Sequence, residues 1–140
     1  MNVLSDIRSW LISSSTGYAQ VGPGMSTMTV YLNKRPASTG NFVVLHQYGG
    51  MAPFPISDGT IDNPRVQVEL LTAVTSDSGY KTALAIQNRL RYVSNMWIPT
   101  SSTGDLFYSI SPLQAPNPLG VDANNRMQWV QNFQITVSYN

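Results

Sequence analysis

The sequence contains no cysteine and only one histidine, His46. Without cysteine the chain has no disulfide framework, no thiolate nucleophile and no sulfur-ligated zinc. With a single histidine it cannot form a histidine-based metal cluster, and any catalytic triad would have to use His46 itself. We therefore expect neither a metal site nor a bound cofactor.

Charged residues are also scarce: they make up 11% of the 140 residues, against about 25% in an average globular domain. Eight Lys and Arg against seven Asp and Glu leave a formal net charge of +1. The basic residues are scattered, so the sequence lacks the basic stripe with which a nucleic-acid-reading domain displaces counterions. Because little charge repulsion keeps copies of the protein apart, this composition favours self-association.

Long hydrophobic runs are missing as well. No proline-free apolar run exceeds four residues, as in residues 42–45, whereas a helix that spans a bilayer needs about 20. The N-terminal region lacks a basic stretch followed by a long apolar stretch, so no signal peptide is visible. We expect a soluble protein, made in the cytoplasm and without membrane contact.

The patterns that are present predict an α+β fold. The length and the apolar fraction of 42% suit one core, so we expect a single domain over residues 1–140. Helical spacing of apolar residues predicts a short helix over residues 2–14, with Asn2 as a candidate cap, and a longer helix over about 78–93. Strand patterns occur at residues 27–32, 42–48, 65–72, 106–110 and 129–139. We predict a mainly antiparallel sheet with both helices packed on one face.

The polar side of the longer helix is expected to face water. Its members are Lys81, Gln87, Asn88, Arg89 and Arg91. Two of these cations lie near the C-terminal end, where the helix dipole favours positive charge.

Two glycine- and proline-rich segments predict long loops, at residues 49–64 and 111–125. A loop as long as the first is more often functional than idle in a compact domain. It nevertheless carries apolar side chains, which must pack on their own domain or on a neighbour. We therefore take it as a candidate interface loop, with Gly49, Gly50, Met51, Phe54, Ile56, Asp58 and Asp62 as its candidate contact residues.

Candidate catalytic residues are few and each has a simpler explanation. His46 lies within an apolar strand and has no partner at a recognisable spacing, so we interpret it as a hydrogen-bonded strand residue. Asp58 and Asp62 are typical turn residues in Asp-Gly and Asp-Asn-Pro. Glu69 alternates outward on a strand and is the only glutamate. No nucleophile elbow or phosphate loop is present, so we expect the protein not to be an enzyme.

The three tryptophans fall into two groups. Trp10 and Trp129 lie on the apolar faces of their predicted elements, which favours core packing. Trp97 follows the longer helix, and an exposed aromatic of this kind more often marks a protein–protein contact than a ligand cage. Trp97 is therefore a candidate second contact.

Four stretches in this order carry a resemblance to a known family. They are residues 48–50 (Tyr-Gly-Gly), 53–55 (Pro-Phe-Pro), 62–68 (Asp-Asn-Pro-Arg-Val-Gln-Val) and the alanine-rich helix at 77–90. Together they resemble the tail terminator and minor capsid proteins of long-tailed bacteriophages. The resemblance covers about residues 2–139, is strongest over 41–93, and finds no matching motif in residues 94–127.

The resemblance implies a structural virion protein of the tail or neck, assembled in the host cytoplasm. Members of this family are α+β domains that form a ring, commonly a hexamer, on the head-proximal end of the tail tube. The ring stops tube polymerisation and offers a docking surface for head-completion proteins. The implied partners are copies of the chain itself, the tail tube protein and a head-completion or connector protein, with the genome DNA passing through the lumen without sequence-specific binding.

Two alternatives remain open at this point. The chain could be a head–tail connector, neck or tail completion protein, since residues 94–127 match no family motif. More remotely, Trp97 and nearby tyrosines could form a platform for sugar rings, as in a carbohydrate-binding module.

Overall fold

The structure, a computed structural model, describes residues 3–12, 29–37, 41–56, 59–73, 79–98 and 104–139. It contains two helices, α1 (Val3–Ile12) and α2 (Gly79–Arg91). Seven strands complete it: β1 (Thr29–Leu32), β2 (Phe42–Ile56), β3 (Gly59–Ala73), β4 (Ser94–Ile98), β5 (Asp105–Pro112), β6 (Asn117–Val121) and β7 (Arg126–Ser138).

The predicted fold class is wrong in its main statement, because the protein is predominantly β. Strands hold 61% of the described residues and form one sheet that curls into a half-barrel. The strand order is β1-β2-β3-β7-β5-β4, with β6 paired to β7. The sheet is mixed, since β1 runs parallel to β2 while the other pairings are antiparallel.

Both predicted helices are present, and their apolar stripes enter the main core. Val3, Leu4, Ile7, Trp10 and Leu11 of α1 are all buried. This helix contacts β1 and β2 at one end of the strand order and β4 at the other, so it joins the two ends of the curled sheet. The proposed Asn2 cap lies outside the described residues.

The prediction that Arg89 faces water is wrong. Arg89 is completely buried, whereas Lys81 and Arg91 on the same helix are exposed. Its Nε donates to the Trp10 carbonyl at 3.0 Å, and the Trp10 indole Nε1 donates back to the Arg89 carbonyl at 2.8 Å. The guanidinium also lies 4.6 Å from the centre of a Trp10 ring. Arg89 therefore joins α2 to α1.

Alternation along the long strands builds the remainder of the main core. Every second residue of β3 and β7 points inward, which is the pattern predicted for both strands. Gln131, the polar exception on the apolar face of β7, is also fully buried, and its side-chain amide donates to the Ala83 carbonyl of α2 at 2.8 Å. The inward residues are Val66, Val68, Leu70, Phe133, Ile135 and Val137.

The predicted loop at residues 49–64 is instead the outer part of a long β2–β3 hairpin. Its strands pair from Phe42 with Leu71 as far as Ile56 with Gly59, across two irregularities. Pro53 and Pro55 are compatible with this strand for two reasons. Among the described residues, this stretch of β2 has a strand neighbour only on the β3 side, and Pro53 lies within a bulge. Proline is tolerated at edges and bulges, where its missing N–H breaks no ladder.

The second predicted loop, residues 111–125, also contains a strand. Here β6 follows β5 on the same side of β7, and both belong to one irregular hairpin with β7. The turn is held by Asp122, whose Oδ1 accepts from the backbone N–H groups of Asn124 and Arg126.

Neither described helix has the length and apolar character needed to cross a bilayer.

Candidate functional site

The outer part of the β2–β3 hairpin, which we call the hairpin arm (residues 47–56 and 59–62), is a long exposed stretch of regular structure. Every residue of β2 from position 47 onward is exposed, in contrast to the buried residues 42–45 at its start. Among the candidate interface residues, the arm brings Gly49, Gly50, Met51, Phe54, Ile56 and Asp62 together. Asp58 lies outside the described residues.

The arm carries large apolar side chains that its own chain leaves uncovered. Met51 is 62% exposed, Phe54 43% and Ile56 36%. Tyr48 at the base of the arm is also exposed. Clustered exposed apolar groups of this kind mark interaction sites, whereas single ones are ordinary.

Gly50 sets the geometry where the arm leaves the body of the sheet. Its φ of +124° is a conformation that side chains with a Cβ rarely adopt. A Cβ on Gly50 would lie 2.1 Å from the backbone oxygen of Asn63 on the opposite strand. Gly49 also has a positive φ, of +29°, but a Cβ there would meet nothing within 4 Å.

Side-chain hydrogen bonds fix the β3 side of the base. The side-chain amide of Gln134 donates to the carbonyls of Asn63 and Pro64 at 2.9 and 3.2 Å. The Thr136 hydroxyl donates to Asn63 Oδ1 at 3.2 Å. The Tyr139 hydroxyl donates to Asp62 Oδ2 at 3.0 Å, and burial together with this carboxylate raises the pKa of Tyr139. The arm is therefore a positioned element and not a loose loop.

Replacing Gly50 with alanine is expected to distort this base. The Cβ clash and the positive φ together should cost about 2–3 kcal/mol of unfolding free energy, as read from urea denaturation. The matched variant Gly49→Ala bears only the positive-φ cost of about 1 kcal/mol. Equal stability of the two variants would contradict the close approach of Gly50 to Asn63.

The second contact candidate, Trp97, does not lie on the arm. It is on β4, at the opposite end of the strand order, and its side chain is 48% exposed. The predicted site residues thus form two separate exposed apolar places, one at each end of the described sheet.

A charged cluster on the outer face of the sheet was not predicted from the sequence. Glu69 points outward as predicted but is buried, at 4% exposure. Arg35 Nε pairs with Glu69 Oε1, and His46 Nε2 lies 3.4 Å from Glu69 Oε2. His46 lies in β2, which confirms its predicted position in a strand.

Arg126 and Asp122 belong to the same cluster, since Arg35 Nη1 lies 3.9 Å from Asp122 Oδ2. The Arg126 guanidinium binds Asp122 Oδ2 at 2.8 Å and the Pro36 carbonyl at 2.8 Å. Desolvation tends to raise the pKa of Asp122, but the hydrogen bonds and charge of Arg126 outweigh it and hold that pKa below its usual range. These groups tie Arg35 and Pro36, in the segment after β1, to the sheet, which is a structural role. Within the described residues, no group of three or more potential ligand side chains could hold a metal ion.

Two carboxyl groups meet where α1 reaches the start of β5. Partial burial, a hydrogen bond with Asp105 and the Asp105 charge raise the pKa of Asp6 to about 7. Asp105 itself is only 1% exposed. The pair therefore lies between α1, which carries Asp6, and β5, which begins at Asp105.

This pair predicts a stability that declines with rising pH. Between about pH 4 and pH 7 the folded protein retains the Asp6 proton that the unfolded chain releases, so unfolding free energy falls across that window. Because Asp6 is partly solvated, we expect a change of about 1 kcal/mol. In Asp6→Asn the unfolding free energy should no longer fall between pH 5 and pH 8, as measured by urea denaturation at the two pH values. The same pH dependence in both proteins would contradict the assignment.

A model of the family described as bacteriophage tail terminator protein matches residues 14–139. The chain is similar in structure to a chain of the virion of a native gene transfer agent particle, with a TM-score of 0.63. That match covers 97% of this chain and 94% of the other at 16% sequence identity, so it shows the fold alone. A search of curated protein sequences gave no match.

The family match includes both the hairpin arm and Trp97. It extends over residues 94–127, where the sequence offered no recognisable motif. Since it leaves out only the first 13 residues and the last one, the chain belongs to the bacteriophage tail terminator protein family.

Proposed function

We propose that this structural tail protein forms a ring of identical subunits, a hexamer, on the head-proximal end of the tail tube. There it stops tube polymerisation and presents a surface to a head-completion or connector protein. The observation that carries the proposal is the hairpin arm, a positioned β-structure whose large apolar side chains are uncovered in the single chain. Family membership supports the place of action.

The composition supports repeated contacts between copies. Interface cores are depleted in charge, and this chain has few charges to desolvate. The near-neutral chain also suits a passage for DNA, since it lacks the basic stripe that would hold phosphates. We take residues 1–140 as one domain with a non-enzymatic role, assembled in the host cytoplasm and without a cofactor.

A tube-capping assay tests this function. Purified tail tube protein is polymerised with and without the chain, and tube lengths and the mass of the free chain are measured. Shorter tubes and a particle of several subunits by mass photometry are the expected results. A monomer that leaves tube growth unchanged would refute the proposal.

A binding assay with immobilised partner proteins distinguishes a terminator from a neck protein. A terminator is retained by immobilised tail tube protein, whereas a head–tail connector or neck protein is retained by portal or head-completion protein instead. Retention by the second group alone would replace the proposed function with that alternative.

A further inference from the structure

The hairpin arm supplies only one of the two surfaces that a ring needs. In a closed ring of identical subunits, one patch on each copy meets a different patch on the next copy. The receiving patch must therefore lie elsewhere on this chain. The structure offers a candidate in β4.

Both the arm and β4 have a backbone edge without a strand neighbour among the described residues. On the arm side, β1 pairs only with residues 42–45 of β2, so that edge of β2 is open from residue 46 to residue 56. On the other side, β4 ends the strand order and pairs only with β5. Such edges present rows of N–H and C=O groups that can pair with another chain.

The exposed side chains at the two edges suit each other. Trp97 on β4 is an exposed aromatic of the kind that dominates binding energy at interface centres. Met51 and Phe54 on the arm offer apolar surface of matching chemistry. Packing Trp97 against them would bury groups that the single chain leaves in water.

The charges are complementary too. Residues 47–64 contain two acids, Asp58 and Asp62, and no lysine or arginine. Residues 79–98 contain three bases and no acid. Arg89 is buried against Trp10, which leaves Lys81 and Arg91 as the exposed charges of that segment. The arm and the α2–β4 segment therefore carry opposite charges, whereas two arms carry like charges.

From these features we infer that the arm of one copy adds as a strand to the β4 edge of the next copy. Main-chain hydrogen bonds supply the pairing, and Trp97 packs on the apolar side chains of the arm. Arg91, the last residue of α2 and three residues before β4, provides the attraction for the acidic arm. This inference rests on the proposed ring function and identifies which two surfaces of the chain meet in it.

Cross-linking between two single-cysteine variants tests the inference, because the natural chain has no cysteine to give a background. Met51→Cys places a thiol on the arm, and Ser94→Cys places one on β4 with almost no change of size. Both positions are exposed. The two variants, each checked by circular dichroism, are mixed under assembly conditions and treated with a short bismaleimide.

The expected product is a covalent dimer that contains one copy of each variant, while each variant alone remains largely uncross-linked. A particle of several subunits without the mixed dimer, or with dimers of Met51→Cys alone, would overturn the inference and leave the ring standing. If neither variant nor the natural chain forms a multi-subunit particle, the proposed function fails together with the inference.

Two substitutions, one on β4 and one at the end of α2, test this contact without cross-linking. Trp97→Ala and Arg91→Glu are each expected to raise the concentration needed for half-assembly by about tenfold or more. Leu119→Ala is the matched control, because Leu119 is an exposed apolar residue on β6, outside both surfaces. Unchanged assembly of both variants would overturn the inference.

Discussion

Phe54→Asp is expected to abolish ring formation while leaving the fold of the single chain intact. Phe54 is 43% exposed on the arm and pairs across the hairpin with Ile61. Loss of an apolar anchor costs about 2 kcal/mol or more per interface, which corresponds to about 30-fold weaker association at each contact. Burial of the new carboxylate adds to that cost.

Assembly is measured by mass photometry over a concentration series, and the fold by far-ultraviolet circular dichroism and thermal unfolding. The matched control is Leu119→Asp, which introduces the same charge at an exposed apolar residue of β6. The control should assemble like the natural chain. Normal rings from Phe54→Asp would remove the arm from the interface.

Arg89→Ala is expected to give the largest loss of stability among single substitutions in the helices. Arg89 is among the largest fully buried side chains, so truncation leaves a cavity between α1 and α2. It also takes away the Nε donor to the Trp10 carbonyl and the cation over the Trp10 ring. After the gain from no longer burying a charge, we expect a net loss of about 3–4 kcal/mol.

Arg91→Ala provides the control, since Arg91 lies two residues further along α2 and is exposed. Its unfolding free energy should stay within about 0.5 kcal/mol of that of the natural chain. A third variant, Trp10→Phe, keeps an aromatic ring but loses the indole donor to the Arg89 carbonyl, and should lose about 1–2 kcal/mol. If Arg89→Ala matched Arg91→Ala in urea denaturation, the reciprocal contact between the helices would be wrong.

The elements with a clear period could be predicted from the sequence. In α1, β3 and β7 the apolar residues recur at the helical or strand spacing, and the structure buries them as that spacing requires. Even the position of Arg89 carried a signal, because it lies three residues after Ile86 and four before Val93, on the buried side of the helix. Its charge, taken alone, indicated the wrong face.

The arm could not be recognised as a strand because its composition is that of a loop. Pro53 and Pro55 weaken a central strand, but they are compatible with an edge strand that contains bulges. The same holds for β6, which contains Pro118 and Gly120. These errors have one cause: the sequence does not tell which strands have a neighbour on only one side. They explain why the predicted α+β class underestimated the β content.

Apolar side chains in a predicted loop need something to pack against, and this requirement indicates the candidate interface residues. The structure keeps those side chains exposed but places them on a paired β-hairpin. The separation of Trp97 from the arm could not be predicted, since β4 is short and lacks a clear alternation. The charged cluster around Glu69 was also hidden, because its members come from four distant parts of the chain.

Electron microscopy of tail tube ends tests the central claim most directly. Tubes assembled from purified tail tube protein are imaged after incubation with the natural chain and with Phe54→Asp. We predict a ring of density at one end of each tube with the natural chain, and bare ends with the variant. Tube ends that stay bare with the natural chain, or rings that form equally with Phe54→Asp, would contradict the account.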